Sequence, residues 1–87
     1  MFLIMVYDIN EKRVTKVLKT GRKYLNWVQN SVFEGEITKA KFIKLKLELK
    51  KIIKEKEDSI IFYLFRRKAY TSRETMGKEK GGEQLIL

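Results

Sequence analysis

Phe2-Leu3-Ile4-Met5-Val6-Tyr7 is an unbroken apolar run that stops at Asp8-Ile9-Asn10. A run this short cannot form a buried helix, and it reads as a β-strand covered on both faces. Ile60-Ile61-Phe62-Tyr63-Leu64-Phe65 repeats the pattern late in the chain. Everything between these two strands has to pack against them. After Asn10, a good N-cap, apolar residues fall at Val14, Val17, Leu18 and Leu25, with Gly21 on the same face. That spacing predicts an amphipathic helix over 12–25, with Gly21 as a point of close approach to the sheet. Trp27-Val28-Gln29 and Val32-Phe33-Glu34 flank Asn30-Ser31, the pattern of two short strands joined tightly, and Gly35 suggests a bulge. Thr38 is the expected cap of a second helix whose apolar stripe is Phe42, Leu45, Leu49, Ile52 and Ile53. The strict alternation from Ile43 to Lys50 competes as a strand signal, but length and composition favour helix, with Ile43 and Leu47 expected under a neighbouring element. Glu57-Asp58-Ser59 ends it, and Tyr70 to Met76 suggests one more strand.

The order βαββαβ with a C-terminal extension predicts a ferredoxin-like α+β sandwich with an extra C-terminal strand. One domain is expected over 1–80, with 81–87 as a tail that includes the apolar Leu85-Ile86-Leu87, a possible short strand. Both helices of such a fold cover one face of the sheet, yet the first and fourth strands are apolar on both. Leu3, Met5 and Tyr7 with Ile61, Tyr63 and Phe65 are expected to line one face, and Ile4 and Val6 with Ile60, Phe62 and Leu64 the other. One set would lie open in a monomer, so a homodimer is expected, sheet face to sheet face.

Composition narrows the chemistry. The 87 residues contain no Cys and no His. Disulfides, thiolate nucleophiles, zinc fingers and Ser-His-Asp catalysis are thereby excluded. No apolar run approaches the ~20 residues that span a bilayer, so a cytoplasmic protein with no membrane role is expected. Lys and Arg number 20 against 11 acids, a net charge of +9. Such an excess favours nucleic acid, although a solubilising coat would look similar. Lys12, Lys16, Lys19 and Lys23 recur at helical spacing along the first helix, with Arg13 and Arg22 beside them and no acid between. They form a candidate phosphate track, joined by Arg66, Arg67, Lys78 and Lys80. Asp8 is the most suggestive acid, an oxygen ligand at a strand end suited to Mg²⁺ or Mn²⁺ near phosphate. A turn or cap aspartate is the plainer alternative.

Met5-Val6-Tyr7-Asp8-Ile9 followed by a basic helix, then Val28-Gln29-Asn30-Ser31-Val32-Phe33-Glu34-Gly35, resembles the "Cas two" family of CRISPR-associated adaptation proteins. The resemblance runs from Met1 to about Lys80. It implies a homodimer whose C-terminal strand can cross between protomers. It implies a Mg²⁺-dependent endonuclease acting on RNA or double-stranded DNA, and a CRISPR integrase partner in spacer acquisition. By position it makes Asp8 the metal-binding acid and adds Tyr7, Arg13 and Phe33 as catalytic-site residues. Two other readings fit the fold: a toxin-type endoribonuclease and a non-enzymatic ferredoxin-like binding module.

Overall fold

The computed structural model describes residues 1–67 and 70–78, with the side chains of 66, 67 and 70–73 outside that description. The elements are β1 (Phe2–Asp8), α1 (Glu11–Tyr24), β2 (Asn26–Gln29), β3 (Val32–Glu36), α2 (Lys39–Ile52), β4 (Ser59–Arg67) and β5 (Tyr70–Gly77). One antiparallel sheet takes the order β2-β3-β1-β4-β5, which is the ferredoxin-like arrangement with a fifth strand added beyond β4. Among the described residues no helix is long and apolar enough to cross a membrane. The candidate tail over 81–87 and Lys80 lie outside the described residues.

Both helices start where the sequence places a cap. The Asn10 side chain accepts from the Lys12 amide, and the Thr38 hydroxyl accepts from the Lys41 amide. Each cap satisfies one of the orphan donors at a helix start, a contribution of about 1 kcal/mol. The helices turn Val17, Phe42, Leu45 and Leu49 onto the sheet, where they meet Leu3, Met5, Tyr7, Phe33, Ile60, Phe62 and Leu64. Full burial of such side chains contributes about 1.5–3 kcal/mol each, so this layer dominates stability. Gly21 of α1 lies against the Phe33 ring of β3. A Cβ there would sit 2.8 Å from the Phe33 ring, so the helix can pack at this distance only without one.

Several expectations need correction. The register pairs Met5 with Phe62 and Tyr7 with Ile60, so odd residues of β1 share a face with even residues of β4. The inner set is therefore Leu3, Met5 and Tyr7 with Ile60, Phe62 and Leu64. The outer set is Phe2, Ile4 and Val6 with Ile61, Tyr63 and Phe65, all half-buried. Parity of pairing between two doubly apolar strands cannot be read from either strand alone. The bulge falls in β2, between Trp27 and Gln29, and Gly35 keeps regular register opposite Leu3. Ile43 and Leu47 do not pack under a neighbour. They are exposed on α2, because helical geometry rotates alternate residues off the buried stripe.

The fifth strand is tied to its own sheet. It pairs with β4 from Ser59 opposite Gly77 to Arg67 opposite Tyr70, and Glu74 accepts a 2.9 Å hydrogen bond from Lys46 of α2. The Lys46 ammonium also lies 4.4 Å from the centroid of the Phe42 ring.

Candidate functional site

Asp8 is the last residue of β1, and its alternation within the strand turns it outward while Tyr7 turns into the core. It is exposed, and its Cα partner across the ladder is Ser59. The backbone on either side of Asp8 is held by separate sets of contacts.

The first set lies on the hairpin side. The Tyr7 amide donates to Ser31 O at 3.0 Å, and the Tyr7 hydroxyl donates to Asn30 O at 3.0 Å. Trp27 Nε1 donates to the same Asn30 carbonyl at 3.0 Å. Asn30 turns the hairpin with φ of +38°, a left-handed conformation that Asn tolerates better than most residues. The Phe33 ring lies 5.8 Å from that of Tyr7 and is fully buried. Burial raises the Tyr7 phenol pKa, opposed by the Trp27 hydrogen bond and the charge of Arg22.

The second set is ionic. Asp58, fully buried, accepts from Asn10 N at 2.9 Å, Arg13 Nε at 2.7 Å, Arg13 Nη2 at 3.1 Å and Lys54 N at 2.8 Å. Arg13 Nη2 also donates to Glu57 Oε1 at 3.0 Å. The Arg13 guanidinium beside it holds the Asp58 carboxyl down to about 2, against the opposing effect of burial. Arg13 is raised in turn, chiefly by Asp58. The main chain of Asp58 joins the cluster to β5, since Asp58 O accepts from Lys78 N at 2.7 Å. Gly77 permits that approach. Its φ is +84°, and a Cβ there would lie 2.1 Å from Asp58 O.

The residues singled out in the sequence do not all converge. Asp8 reaches solvent, Tyr7 and Phe33 are core, and Arg13 is bound to Asp58 and Glu57. Phe33 is fully buried and packs against the Tyr7 ring. Lys12, Lys16 and Lys19 are exposed along α1, as is Lys78 at the end of β5. Lys23 is engaged by Glu48 of α2, which also accepts from the Tyr24 hydroxyl, so the basic stripe weakens toward its C-terminal end. Arg66 and Arg67 belong to β4 by main chain. Trp27 is a half-exposed hairpin residue. Among the described residues no group of three or more His, Cys, Asp or Glu could hold a metal ion. A groove of about 320 Å³ lined by Met1, Tyr24, Thr38 and Lys41 lies at the opposite end of β1 from Asp8.

Asp58 is the residue that the sequence reading passed over. A signal existed. Arg13 sits in the first turn of α1, where the helix dipole disfavours a cation unless a carboxylate accompanies it. An acid immediately before the β4 strand was the available partner.

The family model described as CRISPR associated protein Cas2 matches residues 1–73. The chain is 56% identical over 87 residues to the CRISPR-associated endoribonuclease Cas2 of Dictyoglomus turgidum, covering all of both chains. It has the same identity and coverage with the protein of that name from Thermotoga maritima. A crystal structure of a Cas2 protein superposes with a TM-score of 0.74 at 41% identity, over 100% of this chain and 98% of that one.

Proposed function

The chain belongs to the CRISPR-associated protein Cas2 family, and on that premise we propose that it is a metal-dependent endonuclease that works as a homodimer on nucleic acid during CRISPR spacer acquisition. The observation that carries this reading is Asp8, an exposed carboxylate at the rim of the sheet with its backbone held on both sides. RNA is the first substrate to test, because the relatives are named endoribonucleases. Double-stranded DNA and a CRISPR integrase partner remain part of the proposal through the family.

The residues fit a divalent ion held in part by each chain. Mg²⁺ keeps several waters and is bound through one or two carboxylates plus substrate phosphates, so one Asp8 per chain is a sufficient protein contribution when two copies meet. When bound, Mg²⁺ or Mn²⁺ supplies charge neutralisation at the phosphate and activation of water. The protein's own part is to present Asp8 and to hold the strand. The chain has no His, so it holds no imidazole base.

The outer sheet face supports the dimer. Phe2, Ile4, Val6, Ile61, Tyr63 and Phe65 would leave an extended apolar surface in water, and a second copy removes it. Lys12, Lys16 and Lys19 offer phosphate contacts that follow the backbone and carry no base readout.

The experiment is cleavage of labelled single-stranded RNA by the purified protein. We expect cleavage in Mg²⁺ that is abolished by EDTA and restored by added Mg²⁺ or Mn²⁺. Undiminished cleavage in EDTA would remove the metal from the account, and no cleavage of RNA or duplex DNA under any metal would remove the nuclease.

A further inference from the structure

We propose that Asp58 is the positioning residue for Asp8, acting through Asn10 and Arg13. The inference rests on the reading that Asp8 carries cleavage, and it gives a task to a buried charge that this reading leaves unused. Asp58 lies far from Asp8 in sequence and is wholly inside the protein. Its carboxylate accepts from Asn10 N and from two nitrogens of Arg13, groups two and five residues beyond Asp8. The next residue, Ser59, is the ladder partner of Asp8. Asp58 therefore fixes both the strand beside Asp8 and the chain that leaves it.

Only Ile9 and Asn10 separate β1 from α1. The path of this link has few freedoms. Asp8 is set by the ladder, the Asn10 amide by Asp58, and the Asn10 side chain by its cap on Lys12 N. Release of the Asn10 amide would let the start of α1 and the end of β1 shift together. A carboxylate that serves metal or phosphate has to be held within about 0.5 Å and 10–20° of its productive position.

A role in stability alone accounts poorly for this cluster. A buried ion pair is weak evidence for stability, since well-packed apolar residues often do as well or better. What apolar residues cannot do is direct donors from a loop, a helix start and a turn onto one carboxylate. Here Asn10, Arg13 and Lys54 all point at Asp58, and Gly77 and Lys78 close over its main chain. The arrangement makes a rigid seat at one place in the fold, and that place adjoins Asp8.

The test compares Asp58→Asn, Arg13→Lys and Asp8→Asn with the native protein, at a temperature where melting curves show every variant fully folded. Two readouts are taken: kcat and KM for labelled single-stranded RNA in Mg²⁺, and the affinity for Mn²⁺ without RNA. Asp58→Asn keeps the shape but turns an amide nitrogen toward the Arg13 donors. We expect kcat to fall about 10- to 100-fold, with KM within about two-fold and Mn²⁺ affinity reduced several-fold. Arg13→Lys keeps the charge without the fork and should fall between Asp58→Asn and native. A folded Asp58→Asn with native kcat and native Mn²⁺ affinity overturns the inference. If Asp58→Asn does not fold, Arg13→Lys decides it, and native kcat there overturns it. Full cleavage by Asp8→Asn overturns the underlying reading, and the positioning role with it.

Discussion

On the hairpin side of Asp8 the chain is held by neutral groups, and on the helix side by charges. Tyr7, Trp27 and the Asn30 carbonyl form the first anchor, with Phe33 packed behind Tyr7. Asp58, Arg13 and Glu57 form the second. The neutral anchor draws its strength from burial, and the hydrogen bonds give it direction. The ionic anchor has the reverse balance. Burial acts against it, and only the complete set of donors makes it favourable. The two should therefore fail differently. Losing Asp58 strands the Asn10 and Lys54 amides and leaves Arg13 only its contact with Glu57, whereas losing one hydroxyl of the neutral set leaves the ring packing in place.

The largest expected effect follows from that difference. Asp58→Ala should lower stability by about 2–4 kcal/mol, because the Asn10 and Lys54 amides lose their acceptor and Arg13 keeps only Glu57. Chemical denaturation measures it, and a loss below about 1 kcal/mol would mean that water replaces the carboxylate without penalty. The same anchor sets an acid limit. Asp58 is held to about 2, below its ordinary 3.8. A depressed folded pKa gives stability that is complete above the ordinary value and is lost as pH falls through it toward 2. The stability gap between native protein and Asp58→Ala should therefore narrow as pH falls from about 4 to about 2.

Gly21→Ala probes the neutral anchor from behind. The new Cβ would meet the Phe33 ring at 2.8 Å, and that ring backs Tyr7. A destabilisation of about 1–3 kcal/mol is expected from overpacking, partly offset by the better helix propensity of Ala. A gain in stability would mean that α1 moves away freely, and that the close approach does not brace Tyr7.

The smallest effect belongs to Tyr7→Phe. It removes one donor to Asn30 O while Trp27 Nε1 still serves that carbonyl. About 0.5–1.5 kcal/mol is expected. Its pH behaviour mirrors that of Asp58. Burial raises the Tyr7 phenol above its ordinary 10.0, so its contribution is complete below that value and is lost as pH rises past it. Native protein should lose more stability than Tyr7→Phe on passing above pH ~10. Equal losses would assign the alkaline limit to Tyr24, which Glu48 and burial raise as well.

The same contrast explains what could be read without a structure. The neutral anchor is local. Asn30-Ser31 announces a turn, and Val32-Phe33-Glu34 places an aromatic on its inner face, so the hairpin was legible. Asn10 and Thr38 declared the helix starts by side-chain type. The ionic anchor joins residues 45 apart in sequence, and nothing in either segment names the other. Arg13 consequently read as part of a surface stripe with Lys12 and Lys16, although its guanidinium is nearly buried against Asp58. The sheet parity failed for a related reason: two strands apolar on every position carry no mark of which residues oppose. Asp8 itself was legible as a strand-end acid, but its two supports were not equally so.

The central claim is that cleavage depends on Asp8 while the fold does not. Asp8→Asn keeps the size of the side chain, leaves both anchors intact and removes the carboxylate charge. One purified preparation, assayed for RNA cleavage and for melting temperature together, tests this directly. Cleavage is expected to fall about 100-fold or more, with a melting temperature within a few degrees of the native protein's and retained binding to nucleic acid through α1. Native-level cleavage by the folded variant, still abolished by EDTA, would contradict it.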